Sequence, residues 1–158
     1  VWIEFVPALY SLVALTFCLD GQRRVLVVQE SRPDCWGRYY IPAGRGATGE
    51  DPLRLACRVT LEKTGIHVEP LGVVGFEHNP PIGQYPGQLR VLVVAQAIGG
   101  TLKRVEDSHS LGAAWIAHDD VRGLKLRSDD FLPWLDDLML GALPVLPATS
   151  WRALGGRP

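Results

Sequence analysis

The chain has almost no net charge: 16 Lys and Arg stand against 17 Asp and Glu over 158 residues, a formal −1. That balance gives no support for a polyanion-binding surface spread over the whole molecule and leaves a local basic patch as the route to such ligands. Cysteine is scarce. Cys18, Cys35 and Cys57 show no CxxC spacing, and their odd number among apolar neighbours predicts reduced thiols in an intracellular compartment, cytoplasmic or organellar. His67, His78, His109 and His118 lack ligand spacing, which argues against zinc. No uninterrupted apolar run reaches membrane-spanning length, so a soluble chain without a membrane partner is expected. Internal repeats and low-complexity tracts are absent. There is no initiator methionine, which fits a processed chain or an expressed fragment. The apolar Val1–Leu19 stretch lacks a basic start and reads as strand rather than signal peptide.

What is present is enough apolar sequence for one domain with a sizeable core. Ser11–Leu19 and Arg24–Gln29 are β-rich runs around Asp20-Gly21, a hairpin signal in which the glycine supplies a positive φ. Ser31–Gly37 is a loop, and Arg38–Ile41 a short strand. Ala43–Gly49 holds three glycines in seven residues, so its backbone can curl closely around a ligand. Thr48 or Asp51 caps the following helix, Pro52 suits its first turn, and Gly65 ends it. Leu53, Ala56, Cys57 and Thr60 recur at helical spacing and are expected to face the core.

His67–Glu77 and Leu89–Ala97 read as strands, and Gly99-Gly100 turns the second toward a further strand at Thr101–Val105. Ala113–Ile116 is another short strand, and Asp119–Leu124 a helical turn. A final helix capped by Ser128 is expected to run to Met139, and Pro133 fits it only if it lies in the first turn. Residues 1–140 form the expected domain, and the Pro/Gly-rich tail 141–158 is expected to pack loosely. The pattern is α+β.

Within Gly44–Ile66, GRGATGEDPLRLACRVTLEKTGI, the glycines, Glu50, Arg58, Glu62 and the closing Gly-Ile stand at the spacing of the Nudix box. The chain resembles a Nudix hydrolase domain, and the resemblance extends over about Leu12–Met139. It implies a Nudix fold, an α/β/α sandwich with a mixed sheet and the box as a loop and helix beside it. The wording IPAGR, GGTLK and LGAAWI is similar to animal members that hydrolyse oxidised guanine nucleoside diphosphates. In that family, box glutamates converge on Mg²⁺ or Mn²⁺, which offsets diphosphate charge and activates water. Positions 59, 62 and 63 share one helix face, and here they read Val59, Glu62, Lys63. Two expected glutamates are missing.

By this resemblance the catalytic candidates are Glu62, Glu50 and Arg58, the last two also pairing loop with helix. Ligand contacts fall on Gly44, Arg45 and Lys63. Metal ligands fall on Glu62 and the Gly44 carbonyl, with Glu77 or Glu106 as the downstream acid. Lys63 is either a solvated surface residue or a cation that replaces a metal and meets phosphate directly. Tyr40, Trp36, Tyr39 and Phe76 include either a base-stacking residue or plain core.

Three functions remain open. The favoured one is a nucleotide or pyrophosphate cleft with an impaired metal site and weak or absent hydrolysis, acting in ligand binding or in an assembly that could include RNA. The second is a metal-dependent nucleoside-diphosphate-X hydrolase with rearranged carboxylates. The third is a structural module without ligand or cofactor. The expected partner is a nucleoside diphosphate derivative or another phosphate-containing ligand, and a homodimer is compatible.

Overall fold

A computed structural model describes residues 7–152. Five strands form the larger sheet: β1 (Tyr10–Cys18), β4 (Ala43–Arg45), β5 (Ile66–Asn79), β6 (Gly87–Gly100) and β8 (Leu146–Pro147), in the order β4-β1-β6-β5-β8. A smaller sheet has the order β3-β2-β7, from β2 (Arg24–Gln29), β3 (Tyr39–Tyr40) and β7 (Gly112–Ala117). β1 runs parallel to β6, and the other ladders are antiparallel. The larger sheet is therefore mixed. Helices α1 (Pro52–Thr64) and α2 (Leu132–Met139) complete the layers of a Nudix fold.

Alternation along the strands assigns the two faces of the larger sheet. Ala14, Val91, Val93 and Val73 pack under α1, against Leu55, Ala56 and Val59. Val13, Leu15, Phe17, Leu92 and Val94 point the other way. They meet Val25, Val27, Tyr40 and Ile41 of the smaller sheet side, with Phe131 and Leu135 of the α2 region. Each fully buried side chain of this kind contributes about 1.5–3 kcal/mol. The second face is also the one that opens into the candidate site.

The ends of α1 are set as its sequence predicts. Asp51 Oδ1 accepts from the Leu53 and Arg54 amides, Pro52 occupies the first turn, and Gly65 adopts φ 76°. The buried stripe differs from expectation. It runs through Leu55, Ala56, Val59 and Thr60, whereas Leu53 and Cys57 are only half-buried. The hairpin reading also needs correction. The left-handed residue between β1 and β2 is Arg23 (φ 59°), not Gly21, and Asp20 holds the turn by accepting from the Gln22 and Arg24 amides. Beyond one bridge, Leu19–Val25, the strands part into different sheets.

Thr101–Val105 is not a strand. The Thr101 and Lys103 amides bond to the Gly65 and Thr64 carbonyls at the end of α1, so this stretch seals the helix terminus. Ser128 accepts from the Asp130 amide ahead of α2 rather than capping it, and Pro133 does lie in the helix's first turn. Residues 141–152 are docked: β8 pairs with β5, and Trp151 Nε1 donates to Asp51. Residues 1–6 of the expected N-terminal strand region and 153–158 of the expected tail lie outside the described residues. The three cysteines are free, and burial raises each thiol pKa, that of Cys18 to about 12.

Candidate functional site

Arg58 ties the glycine-rich loop to α1. Its Nε and Nη2 reach the two oxygens of Glu50 at 2.7 and 2.8 Å, and Nη2 also donates to the Arg45 carbonyl at 3.3 Å. Glu50 further accepts from the Ala47 amide. The Arg58 hydrogen bonds, aided by that amide, pull the Glu50 carboxyl down to about 2 and raise the guanidinium above its ordinary range. Such a bidentate pair fixes geometry as well as charge. Glu62 is drawn into it, accepting from Arg58 Nη1 at 2.9 Å, with His109 Nδ1 at 4.0 Å.

Val59 faces inward, 4% exposed. A Cβ built on Gly44 would lie 2.5 Å from Val59 Cγ2, so glycine at 44 and a compact residue at 59 fit one another. One turn later, Lys63 is equally committed. Its Nζ lies 3.2 Å from Glu30 Oε2, with the lysine side chain 15% exposed and the glutamate 1%. The solvated-surface reading of Lys63 is therefore incorrect. Arg127 Nη1 takes the other oxygen of Glu30 at 3.0 Å, and its guanidinium lies 4.9 Å over the Tyr40 ring.

The backbone explains this convergence. Glu30 follows β2 and exchanges hydrogen bonds with the Arg38 carbonyl and the Gly37 amide, while Arg127 is fixed by pairing of residues 125–127 with Tyr39. Beside it lies a second network. Arg90 bonds Asp130 (2.7 Å), Glu77 (2.8 Å) and the Tyr40 hydroxyl (2.7 Å), and Tyr40 donates to Asp130 at 2.8 Å. Burial opposes the charged form of Asp130, but bonds from Arg90 and Tyr40 outweigh it and lower its pKa. Burial raises that of Tyr40. Glu77 also accepts from Trp134 Nε1 at 2.8 Å.

These groups border a cavity of about 550 Å³, within the usual range of small-molecule sites. Gly44, Arg45 and Lys63 line it, as do Arg32, Arg90, Arg127, Tyr40 and Asp130. Glu50, Glu62, Glu77 and Glu106 are not on its wall, and Glu106 is exposed in the loop before β7. Glu30, Arg127, Arg90 and Asp130 were not singled out by sequence. The sequence signal for Glu30 is weak: a carboxylate two residues past the apolar run Val25–Val28. Tyr40 belongs to the cavity wall, whereas Trp36 and Phe76 are exposed.

The family's metal does not fit the box positions as they stand. Val59 is core, Glu62 is paired with Arg58, and Lys63 is an ammonium. The ammonium alone would oppose a divalent ion about 4 Å away by roughly 8 kcal/mol at an effective dielectric near 20, a repulsion that the Glu30 carboxylate offsets in part. Among the described residues, no group of three or more His, Cys, Asp or Glu is gathered as a metal requires. The arrangement can instead present several N–H donors to an anion.

A mixed sheet carrying a glycine-rich loop, a capped helix and an arginine-lined cleft defines an α+β domain with one cationic cleft wall. The family model for the NUDIX domain matches residues 9–135, and the chain belongs to that family. It is 34% identical over 122 residues to a Homo sapiens protein named 8-oxo-dGDP phosphatase NUDT18, covering 76% of this chain. The Danio rerio protein of the same name is 34% identical over 134 residues, 83% of this chain. The chain spans only 36% and 39% of those relatives' lengths. A NUDIX hydrolase from Nitrosomonas europaea superposes with a TM-score of 0.75 at 21% identity, covering 90% of this chain and 95% of that one. The NUDIX domain of Shewanella oneidensis NrtR, complexed with ADP ribose, gives 0.62 at 19% identity, with 85% and 90% covered. At such identities these structures speak to fold alone. No helix among the described residues is long and apolar enough to cross a membrane.

Proposed function

We propose that this domain binds a nucleoside diphosphate derivative in the cleft between its two sheets and hydrolyses it weakly or not at all. The observation that carries this reading is Lys63, an ammonium held by buried Glu30 on the wall of the cleft, where the family resemblance expects a metal-binding carboxylate. Arg45, Arg90 and Arg127 on the same wall supply donors for phosphate oxygens. The test is product release from a nucleotide panel that includes 8-oxo-dGDP, with Mg²⁺ or Mn²⁺, alongside binding of the same panel. Turnover at least about a hundredfold below the common enzyme scale of about 10 s⁻¹ is expected, together with measurable binding. Brisk turnover would overturn the reading.

The names of the 34%-identical relatives favour a second reading, a working nucleoside-diphosphate hydrolase. It requires Glu62, now on Arg58, to be released for catalysis with Glu50 and a downstream acid such as Glu77 or Glu106. In that case Glu62→Gln abolishes turnover; an unaffected rate removes this reading.

A further inference from the structure

We infer that the cleft binds the diphosphate group of its ligand without any metal ion, Lys63, Arg127 and Arg45 together taking the charge-neutralising place of a divalent cation. The inference rests on the cleft-binding reading above and deepens it.

Counting charges at this end of the cleft leads there. Arg90 stands between two carboxylates, Asp130 and Glu77, a surplus of one negative charge on that side, and Arg32 is matched by Asp34 at 2.6 Å. What remains is three cations, Lys63, Arg127 and Arg45, against the single carboxylate of Glu30, leaving two positive charges. Among the described residues, the Arg45 guanidinium has no ion-pair partner. Set against the surplus carboxylate beside Arg90, the excess around Lys63 still leaves the named groups one net positive charge, concentrated where the box would hold its ion.

Two of the three cations, Lys63 and Arg127, are held before a ligand arrives. Glu30, with its side chain 1% exposed, has one oxygen on Lys63 and the other on Arg127, and Arg127 also lies against the Tyr40 ring. An almost fully buried carboxylate needs such partners, so neither cation is free to swing into solvent. One bond to Glu30 uses one of the three lysine N–H groups and one of the five on arginine. The rest are available to phosphate oxygens, and Arg guanidinium suits two oxygens at once. A metal-complexed nucleotide fits less well, because it arrives with part of its charge already cancelled and brings a cation toward Lys63. The chemical class is therefore a free diphosphate: a nucleoside diphosphate, or pyrophosphate itself.

The experiment is calorimetric titration of the whole chain with ADP, with 8-oxo-dGDP and with pyrophosphate, in EDTA and again in excess Mg²⁺. Binding in EDTA is expected, with affinity unchanged or lower in Mg²⁺ because the metal competes for the ligand. Lys63→Met, which keeps the stem, is expected to weaken binding in EDTA by about tenfold or more, the scale of one charge-assisted hydrogen bond. Should that variant fail to fold, Arg45→Ala at an exposed position reports the same effect. Affinity that appears only with Mg²⁺, or folded variants that bind as the wild type does, would overturn the inference while sparing the cleft. Absence of binding to every probe under both conditions would instead sink the cleft-binding reading.

Discussion

Replacing Lys63 by glutamate restores the box residue and, by the geometry here, damages the protein. The change removes an ammonium 3.2 Å from Glu30 and sets a second carboxylate beside one whose side chain is 1% exposed. Breaking a buried pair from one side costs about 3–5 kcal/mol, a large share of the roughly 5–15 kcal/mol that holds an ordinary domain. Arg127 still pairs with Glu30, which places the loss toward the lower end. For a chain near this length each kcal/mol moves the melting temperature by about 2–4 °C, so a loss near 3 kcal/mol should melt Lys63→Glu roughly 6–12 °C below wild type in EDTA. Circular dichroism melts, repeated with Mg²⁺, carry a second expectation. Two neighbouring carboxylates can share a divalent ion, and a tenfold excess over its Kd returns about 1.4 kcal/mol, or about 3–6 °C. The wild type should show no comparable rise. A variant melting within about 2 °C of wild type in EDTA would mean that the pair is not closed. An equal Mg²⁺ response in both proteins would mean that metal binding never depended on position 63.

Two further expectations concern the loop and its helix. Gly44→Ala drives a methyl group to 2.5 Å from Val59 Cγ2 and should cost about 1–3 kcal/mol; adding Val59→Ala should relieve at least about 1 kcal/mol of that, and strictly additive denaturation energies would refute the contact. Acid stability should also reflect Glu50. Its carboxyl, drawn by Arg58 from 4.5 to about 2, favours the folded state above the unfolded value, and this contribution is lost as pH falls from about 4.5 toward 2. Glu50→Gln should flatten that limb in denaturant titrations, and an unchanged slope would argue that the Arg58 bonds do not persist in solution.

The elements that local chemistry specifies were legible in the sequence. Asp51, Pro52 and Gly65 fixed the limits of α1 because caps and stops act over a single turn. Glycine spacing, Glu50 and Arg58 disclosed the loop and its helix. What escaped depends on partners distant in sequence. Thr101–Val105 has strand-like composition, yet its amides find the carbonyls at the end of α1 first. Tail residues Leu146 and Pro147 read as loop until β5 offers them an edge beside Gly72, where a Cβ would meet the Leu146 carbonyl oxygen at 2.2 Å. The cleft was hardest to see: Glu30 and Arg127 are 97 residues apart, and nothing local marks either as the other's partner.

The two departures from the box are accommodated in different ways, and this bears on how the site could change. Val59 is held by shape: it fills space against Gly44 within an apolar cluster that includes Leu55, Val91 and Val93. A glutamate there would have to bury its charge or push the loop outward. Lys63 is held by charge, through a carboxylate that also serves Arg127. Restoring either acid alone therefore meets resistance from surroundings fitted to the present residue. Restoring both leaves Glu30 with Arg127 as its one remaining cation and adds two charges to partly or fully buried positions. The present pair is thus embedded in its neighbours, and an ion-binding helix face would require Glu30 and the packing of the loop to change along with positions 59 and 63.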